Sequence, residues 1–144
     1  MKEKTILLVE DSEDDVFFFQ RALNRKGAKY PVQVAMDGDE AVNYLSGKGA
    51  FSDRTRHPLP DLIFLDIQMP RMNGHEVLRW IREQPELRTI PVVILSTSSQ
   101  PIDIQRANAA GGNAYLLKTS NSEKFGTILD HTLYFWLEAN QRLA

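Results

Sequence analysis

The sequence predicts an α/β fold in which helices cover both faces of a five-stranded parallel sheet. Five short apolar runs alternate with segments that have the spacing of amphipathic helices. Four of these runs are continuous and rich in valine, isoleucine and leucine, as is typical of strands buried on both faces of a parallel sheet. Right-handed crossovers would then place helices on both sides of one sheet, a doubly wound arrangement. The candidate strands are Thr5–Val9, Val32–Ala35, Leu62–Leu65, Val92–Leu95 and Ala114–Leu117.

Helix signals follow each candidate strand. The first helix begins after an acidic stretch that contains Ser12, a favourable N-cap residue. The third begins after the turn residues Asn73 and Gly74 and ends near Pro85, because proline interrupts a helix. The fourth has Pro101 in its first turn. The apolar residues that define the five helices are Val16, Phe19 and Leu23; Ala41, Val42 and Leu45; Val77, Leu78 and Ile81; those within Ile102 to Ala110; and Phe125, Ile128, Leu129, Thr132 and Phe135.

The length of 144 residues fits one domain of ordinary size. We expect residues 1–144 to form that single domain, with an extended C-terminal helix at about 121–141. Residues 47–60 are predicted to form a long loop, since they contain Gly, Ser, Asp and Pro and show little periodicity. A loop of this length in a compact domain usually indicates a function or mobility.

Composition excludes several classes of protein. The sequence has no cysteine, which rules out a disulfide framework, a thiolate nucleophile, a zinc–cysteine site and an iron–sulfur cluster. Its formal net charge of −2 leaves no basic surface for general binding to nucleic acid. No segment is long and apolar enough for a signal-peptide core or a membrane span. We therefore expect a cytoplasmic protein that binds neither nucleic acid nor membranes.

Polar residues follow four of the candidate strands at the point where each strand ends. Glu10 and Asp11 follow the first strand, Asp66 the third, Ser96 the fourth and Lys118 the fifth. All strands of a parallel sheet end at the same edge, where ligands bind in the crevice beyond the strands. These side chains should therefore converge on one small site.

The grouping of these residues indicates phosphoryl chemistry with a metal ion. Three carboxylates close together repel one another, and a hard divalent cation such as Mg²⁺ relieves that repulsion through oxygen ligands. Lys118 can pair with a carboxylate or with a phosphate, and the Ser96 hydroxyl can donate a hydrogen bond to a phosphate. Without cysteine, the candidate nucleophile is a carboxylate, and Asp66 stands alone at the end of the central run.

The same residues resemble a known signature. Glu10-Asp11, the segment 66–74, Leu95-Ser96-Thr97 and Lys118 are similar to the motifs of the receiver domain of two-component response regulators. The resemblance extends from about Lys4 to Leu137 and implies a flavodoxin-like receiver fold with the strand order 2-1-3-4-5. The long loop and the lack of an output domain resemble the phytochrome-associated single-domain response regulators.

The resemblance implies a role for each acidic residue. Asp66 would accept a phosphoryl group from a phosphohistidine on a sensor histidine kinase such as a bacterial phytochrome. Asp11 and Asp66 would ligate Mg²⁺ directly, with the backbone carbonyl of Gln68 as a third protein ligand and Glu10 acting through water. Such a protein catalyses only its own phosphorylation and dephosphorylation, so it is not an enzyme with an external substrate.

The resemblance also implies how the site responds. Ser96 would donate a hydrogen bond to the phosphoryl group, and Lys118 would neutralise its charge. Tyr115 matches an aromatic switch residue whose ring turns inward when the hydroxyl residue, here Ser96, moves. Such a switch is a two-state equilibrium, and couplings of about 1–3 kcal/mol are typical.

Two residues depart from the family pattern. Thr119 follows Lys118 at the position where the family usually has a proline in a cis peptide. A non-proline cis bond costs about 2.5–4 kcal/mol, so we expect either a trans bond with a reshaped loop or visible strain. Thr97 is larger than the usual alanine or glycine and is expected to narrow access to the phosphate.

Two apolar segments exceed what one helix face can bury. One is the triplet 17–19, which places three phenylalanines in one helical turn. The other is the last helix, where a second apolar stripe predicts a partner surface. We expect a homodimer formed largely through this helix. The predicted interface residues are Phe125, Leu133, Trp136 and Leu137.

Two other classes of function compete with this interpretation. A phosphohydrolase of the haloacid dehalogenase type also has an aspartate after a strand, but it needs a second acid two positions later, where this chain has Gln68. A flavodoxin-like cofactor binder needs a Ser/Thr- and Gly-rich phosphate loop after the first strand. Here residues 10–15 are mostly acidic, which is the wrong charge for a phosphate cradle without metal.

Overall fold

A parallel sheet of five strands forms the centre of the molecule in a computed structural model that describes residues 3–25, 27, 30–69 and 71–142. The strands are β1 (Ile6–Val9), β2 (Val32–Ala35), β3 (Leu62–Asp66), β4 (Val92–Ser96) and β5 (Ala114–Leu117). The helices are α1 (Glu13–Arg25), α2 (Gly38–Ser46), α3 (Gly74–Glu83), α4 (Pro101–Ala109) and α5 (Ser122–Leu133). Among the described residues, no helix is both long and apolar enough to cross a membrane.

The strand order is β2-β1-β3-β4-β5, and every neighbouring pair is parallel. After β1 the chain places β2 along one edge of that strand, and it then crosses to the opposite edge to form β3, β4 and β5. Helices therefore lie on both faces of the sheet. This confirms the predicted doubly wound fold. The reversal of direction places a crevice beyond the carboxyl ends of β1 and β3.

The core has two halves, one on each face of the sheet. Successive strand residues point to opposite faces, so Leu7 and Ile63 pack with α2 and α3, whereas Leu8 and Phe64 pack with α1 and α5. All four side chains are fully buried. Because the strands carry apolar residues on both faces, the functional polar residues are confined to the strand ends.

Arg54 holds the long loop at 47–60 against the end of α2. Its guanidinium donates hydrogen bonds to the carbonyl oxygens of Tyr44 (2.7 Å), Leu45 (2.8 Å) and His57 (3.1 Å). The Tyr44 hydroxyl in turn donates to the Pro58 carbonyl at 2.8 Å. The bonds to Tyr44 and Leu45 reach carbonyl groups in the last turn of α2, where a helix leaves its carbonyl groups without the usual partners. The loop therefore stabilises the C-terminal end of α2.

The C-terminal helix differs from the continuous helix expected at 121–141. After Leu133 the chain continues as a π-helical segment, Tyr134–Ala139, and the Asn140 N–H donates to the Phe135 carbonyl at 2.7 Å. Hydrogen bonds between residues five apart wind the chain more loosely than an α-helix does. The residues that α5 and the π-helical segment bury in the core are spaced by four. They are Phe125, Leu129, Leu133 and Leu137.

The predicted dimer interface is therefore wrong at three positions. These are Phe125, Leu133 and Leu137, each only 2–3% exposed because they pack into the core. Phe135, predicted to lie on the core stripe, is instead 50% exposed, and Tyr134 is 65% exposed. Trp136 is half-buried, and its ring meets the Phe135 ring edge to face at 4.9 Å. We call Tyr134, Phe135 and Trp136 the C-terminal aromatic patch.

Candidate functional site

The carboxyl ends of four strands bring polar residues to one edge of the sheet. Asp66 is the last residue of β3 and Ser96 is the last residue of β4. Glu10 and Lys118 directly follow β1 and β5. The ends of β3 and β4 lie level with each other, since Asp66 pairs with Leu95 in the sheet register.

Three carboxylates form a cluster at this edge. Glu10, Asp11 and Asp66 each offer one oxygen atom, and these oxygens lie within 4.8 Å of one another. Glu10 and Asp66 are 2% and 3% exposed, whereas Asp11 faces solvent. A cation could therefore enter from the side of Asp11 and reach two carboxylates that are otherwise shielded from water.

The Lys118 ammonium group supplies positive charge to this cluster. Its Nζ lies 2.7 Å from Glu10 Oε1, 2.9 Å from Asp15 Oδ2 and 3.3 Å from Asp66 Oδ2. The ammonium group has three N–H donors, and these three carboxylates use all of them. The Lys118 side chain is only 19% exposed, so its charge is held close to Asp66.

The site carries more negative than positive charge. Burial and the neighbouring Asp66 carboxyl raise the pKa of Glu10 to about 8, even though Lys118 acts in the opposite direction. Burial alone would lower the pKa of Lys118, but its hydrogen bonds to Glu10 and Asp15 raise it well above its usual value. Lys118 thus stays charged, and at neutral pH the site without a metal ion favours a proton on Glu10.

The donor set fits a hard divalent cation. Glu10, Asp11 and Asp66 supply carboxylate oxygens only, which are the ligands that Mg²⁺ and Mn²⁺ prefer. A bound cation would offset the repulsion that raises the pKa of Glu10. Gln68 lies beside the cluster, and its backbone N–H donates to Asp66 Oδ1 at 2.9 Å.

The loop after β3 is held in place by the start of α3. A Cβ atom on Gly74 would lie 2.4 Å from Ile67 Cα and 2.6 Å from the Asp66 carbonyl oxygen, so only glycine fits there. Asn73 and Glu76 form a capping box, in which each side chain bonds the backbone N–H of the other residue. Close packing and capping together fix the backbone next to Asp66.

Ser96 and Tyr115 are linked through the loop that follows β4. Ser96 is fully buried, and its Oγ accepts a hydrogen bond from the Ser98 N–H at 3.0 Å. The Tyr115 hydroxyl donates to the Ser98 carbonyl at 2.8 Å, and the ring is half-buried. Thr97 is exposed, with its hydroxyl 3.3 Å from the side-chain oxygen of Gln68.

Asp15 is a member of the site that sequence reasoning missed. It lies in the first turn of α1, and its Oδ2 accepts a hydrogen bond from Lys118 Nζ at 2.9 Å. No spacing in the sequence indicates this contact, since Asp15 and Lys118 are 103 positions apart. The Lys118–Thr119 peptide next to this contact is trans, which is the first of the two expected outcomes.

Comparison with known proteins identifies the class to which this fold and acidic site belong. The sequence profile of the response regulator receiver domain matches residues 6–130, and the chain belongs to this family. Response regulator Rcp1 of Synechocystis sp. is 35% identical over 135 residues, which are 94% of this chain and 90% of Rcp1.

Solved structures agree with the family. The phosphorylated cyanobacterial phytochrome response regulator RcpA has a TM-score of 0.88 at 35% identity, covering 99% of this chain and 100% of RcpA. The Mn²⁺-bound form of Rcp1 has a TM-score of 0.83 at 34% identity, covering 98% of this chain and 99% of Rcp1. The predicted family, its flavodoxin-like fold and the similarity to phytochrome response regulators are therefore confirmed.

Proposed function

We propose that this response regulator accepts a phosphoryl group on Asp66 from a sensor histidine kinase, in a reaction that requires Mg²⁺. The proposal rests on the charged groups that surround the Asp66 carboxylate. One of its oxygens faces the Lys118 ammonium at 3.3 Å, and it shares a cluster with Glu10 and Asp11. One carboxylate is thus placed between a fixed positive charge and a set of cation ligands.

The transfer step forms one bond and breaks one. A carboxylate oxygen of Asp66 attacks phosphorus as the P–N bond of a phosphohistidine breaks. The electron pair of that bond stays on the imidazole nitrogen, so Asp66 becomes an acyl phosphate and the donor histidine is released. Asp66 Oδ1 already accepts the Gln68 N–H, which leaves Oδ2 on the Lys118 side as the attacking atom.

Each neighbouring residue would stabilise the product. When bound by Asp11, Asp66, the Gln68 carbonyl and, through water, Glu10, Mg²⁺ offsets charge on the phosphoryl oxygens. Lys118 would exchange a carboxylate for a phosphoryl oxygen, and Ser96 would donate its hydroxyl proton to another. Contact with the phosphoryl oxygens would thus give Ser96 and Lys118, at the ends of β4 and β5, a role in the reaction.

The output would be a change in protein contacts. Phosphorylation would shift an equilibrium between two conformations that differ in the positions of Ser96 and Tyr115. The protein would then act through the surface whose shape changes with these residues. The reaction changes only this protein, so we propose no external substrate and assign no enzyme activity beyond phosphorylation and dephosphorylation of Asp66. Residues 1–144 would serve as a single receiver domain, in the cytoplasm.

The donor would be a kinase of the phytochrome type. Support comes from Rcp1 and RcpA, since RcpA is a phytochrome response regulator and covers nearly the whole chain at 35% identity.

The C-terminal aromatic patch supports a homodimer, because exposed apolar groups of this kind are typical of interfaces. Trp136 is the member of the predicted interface that remains available there.

Incubation with acetyl phosphate tests the proposal. With Mg²⁺, the intact mass of the wild-type protein should increase by one phosphoryl group, and chelation of the metal should prevent this. Asp66→Asn should show no increase, whereas the control Asp39→Asn, an exposed acid in α2, should match the wild type. Equal incorporation into Asp66→Asn and the wild type would contradict the assignment of Asp66.

A further inference from the structure

Asp15 contacts the Lys118 ammonium from α1 and lies outside the cluster of Glu10, Asp11 and Asp66. The distance from Lys118 Nζ to Asp15 Oδ2 is 2.9 Å, which is shorter than the 3.3 Å to Asp66 Oδ2. The Asp15 side chain is 47% exposed, whereas that of Glu10 is 2% exposed. Asp15 therefore binds the ammonium more closely than Asp66 does, although it is not buried in the site.

The first turn of α1 fixes the position of Asp15. Ser12 Oγ accepts the Asp15 N–H at 3.3 Å, and the Ser12 carbonyl accepts the Val16 N–H at 3.0 Å. Ser12 thus caps the start of the helix. Its own N–H donates to Glu10 Oε2 at 3.3 Å, and the other oxygen of Glu10 binds Lys118. One capping residue therefore holds both of the carboxylates that lie closest to the ammonium.

Packing leaves the Lys118 side chain free to move on one side. Its backbone is fixed, because the Lys118 N–H donates to the Ser96 carbonyl at 2.8 Å. Lys118 and Asp15 also line a cavity of about 460 Å³ whose apolar wall includes Phe18 and Phe125. A cavity of this size can admit a lysine side chain, so the carboxylates rather than steric contacts keep the ammonium at the site.

We propose that Asp15 is a positioning residue that holds the Lys118 ammonium at the acidic cluster and out of the cavity, where it can bind a phosphoryl oxygen on Asp66. This role rests on the proposed function. Formation of the acyl phosphate removes the charge of the Asp66 carboxylate, so Lys118 gives up its longest contact. Glu10 would share its charge with a metal ion, which leaves Asp15 as the main anchor of the ammonium.

Lysine-selective ¹H–¹⁵N spectra, recorded without divalent cation or phosphoryl mimic, test the anchoring. The Lys118 ammonium should give a slowly exchanging signal that is absent from Lys118→Met. In Asp15→Asn its exchange with water should be at least about threefold faster, because the ammonium then reaches the cavity. Asp14→Asn is the matched control, since it removes an exposed acid from the same helical turn and should leave the exchange unchanged.

Titration with beryllofluoride, a phosphoryl mimic, at saturating Mg²⁺ tests the consequence for the site. The Kd should rise at least about threefold in Asp15→Asn and should not change in Asp14→Asn.

Three results would overturn the role of Asp15. They are ammonium exchange as fast in the wild type as in Asp15→Asn, wild-type affinity for beryllofluoride in Asp15→Asn, and equal effects of Asp14→Asn. If the wild type does not bind beryllofluoride, the proposed function fails, whereas the ammonium spectra still show whether Asp15 anchors Lys118.

Discussion

Lys118 Nζ lies 3.3 Å from Asp66 Oδ2, although 52 positions separate the two residues in the sequence. The parallel sheet alone makes this contact possible, because it brings the ends of β3 and β5 to one edge. The same ammonium also contacts Glu10 and Asp15, so it balances three carboxylates at once.

Replacement of Lys118 should destabilise the protein when no divalent cation is present. Lys118→Met leaves the nearly buried Asp66 carboxylate without its cation, and loss of one partner of a buried ion pair typically costs about 3 kcal/mol or more. Urea unfolding in the presence of a chelator measures the change in the free energy of unfolding. Lys124→Met, at an exposed site on α5, is the control; a similar small loss in both variants would contradict the account.

Mg²⁺ should stabilise the folded protein through the acidic cluster. A ligand present at about one hundred times its Kd adds about 2.7 kcal/mol to the free energy of unfolding. Thermal unfolding across a Mg²⁺ titration should show this increase for the wild type, whereas Asp11→Asn should need at least about tenfold more Mg²⁺ for the same increase. Asp14→Asn removes a neighbouring exposed acid outside the cluster and should respond as the wild type does.

His75 should make stability depend on pH. Burial, with Arg106 and Arg79 nearby, lowers the pKa of His75 below 6.5, and its Nε2 atom has no hydrogen-bond partner. The unfolded chain therefore binds a proton more readily than the folded chain does. The contribution of His75 to stability is complete above the unfolded pKa. It is lost as the pH falls from there through the lower folded pKa, with a slope of up to about 1.4 kcal/mol per pH unit.

Unfolding measurements between about pH 7 and pH 5 test this sign. His75→Leu should reduce the loss of stability at the acidic end relative to the wild type. His131→Leu removes an exposed histidine and should leave the wild-type slope unchanged. Parallel curves for the wild type and His75→Leu would show that His75 does not cause the dependence.

Arg82 should contribute strongly to stability without touching the acidic cluster. Its guanidinium donates to the carbonyl oxygens of Gly111, Arg88 and Ile90 and to Asn113 Oδ1, at 2.7–2.9 Å. Bonds to a charged donor are worth about 1.5–3 kcal/mol each but are not additive, so Arg82→Leu should cost about 3 kcal/mol in total. Chemical denaturation measures this, and Arg79→Leu, at an exposed position of the same helix, should change stability much less.

The C-terminal aromatic patch should control self-association. Phe135→Asp places a charge at its exposed centre, and multi-angle light scattering at micromolar concentration should then show a monomer in place of a dimer. Phe17→Asp is a matched control, because Phe17 is 66% exposed and lies on a different helix, α1. A monomeric wild type, with and without beryllofluoride, would refute the proposed homodimer.

The sequence predicted the parts of this structure that depend on local patterns. The continuous apolar runs gave the strands, and the polar residue after each run placed Glu10, Asp11, Asp66 and Lys118 together, because the edge of a parallel sheet leaves little freedom.

The details that the sequence did not predict depend on tertiary contacts. The π-helical segment changes which residues face the core, so Leu137 is buried and Phe135 is exposed, contrary to a spacing of 3.6 residues. The hydrogen bonds of Ser98 and Asp15 also join distant elements and leave no periodic signal in the sequence.

Mapping the phosphorylated residue tests the central claim most directly. Borohydride converts an aspartyl phosphate to homoserine, which peptide mass spectrometry can locate after reaction with acetyl phosphate and Mg²⁺. The account predicts homoserine at Asp66, with no reduced side chain at Glu10, Asp11 or Asp15. Modification at any of those residues with Asp66 unchanged would contradict it.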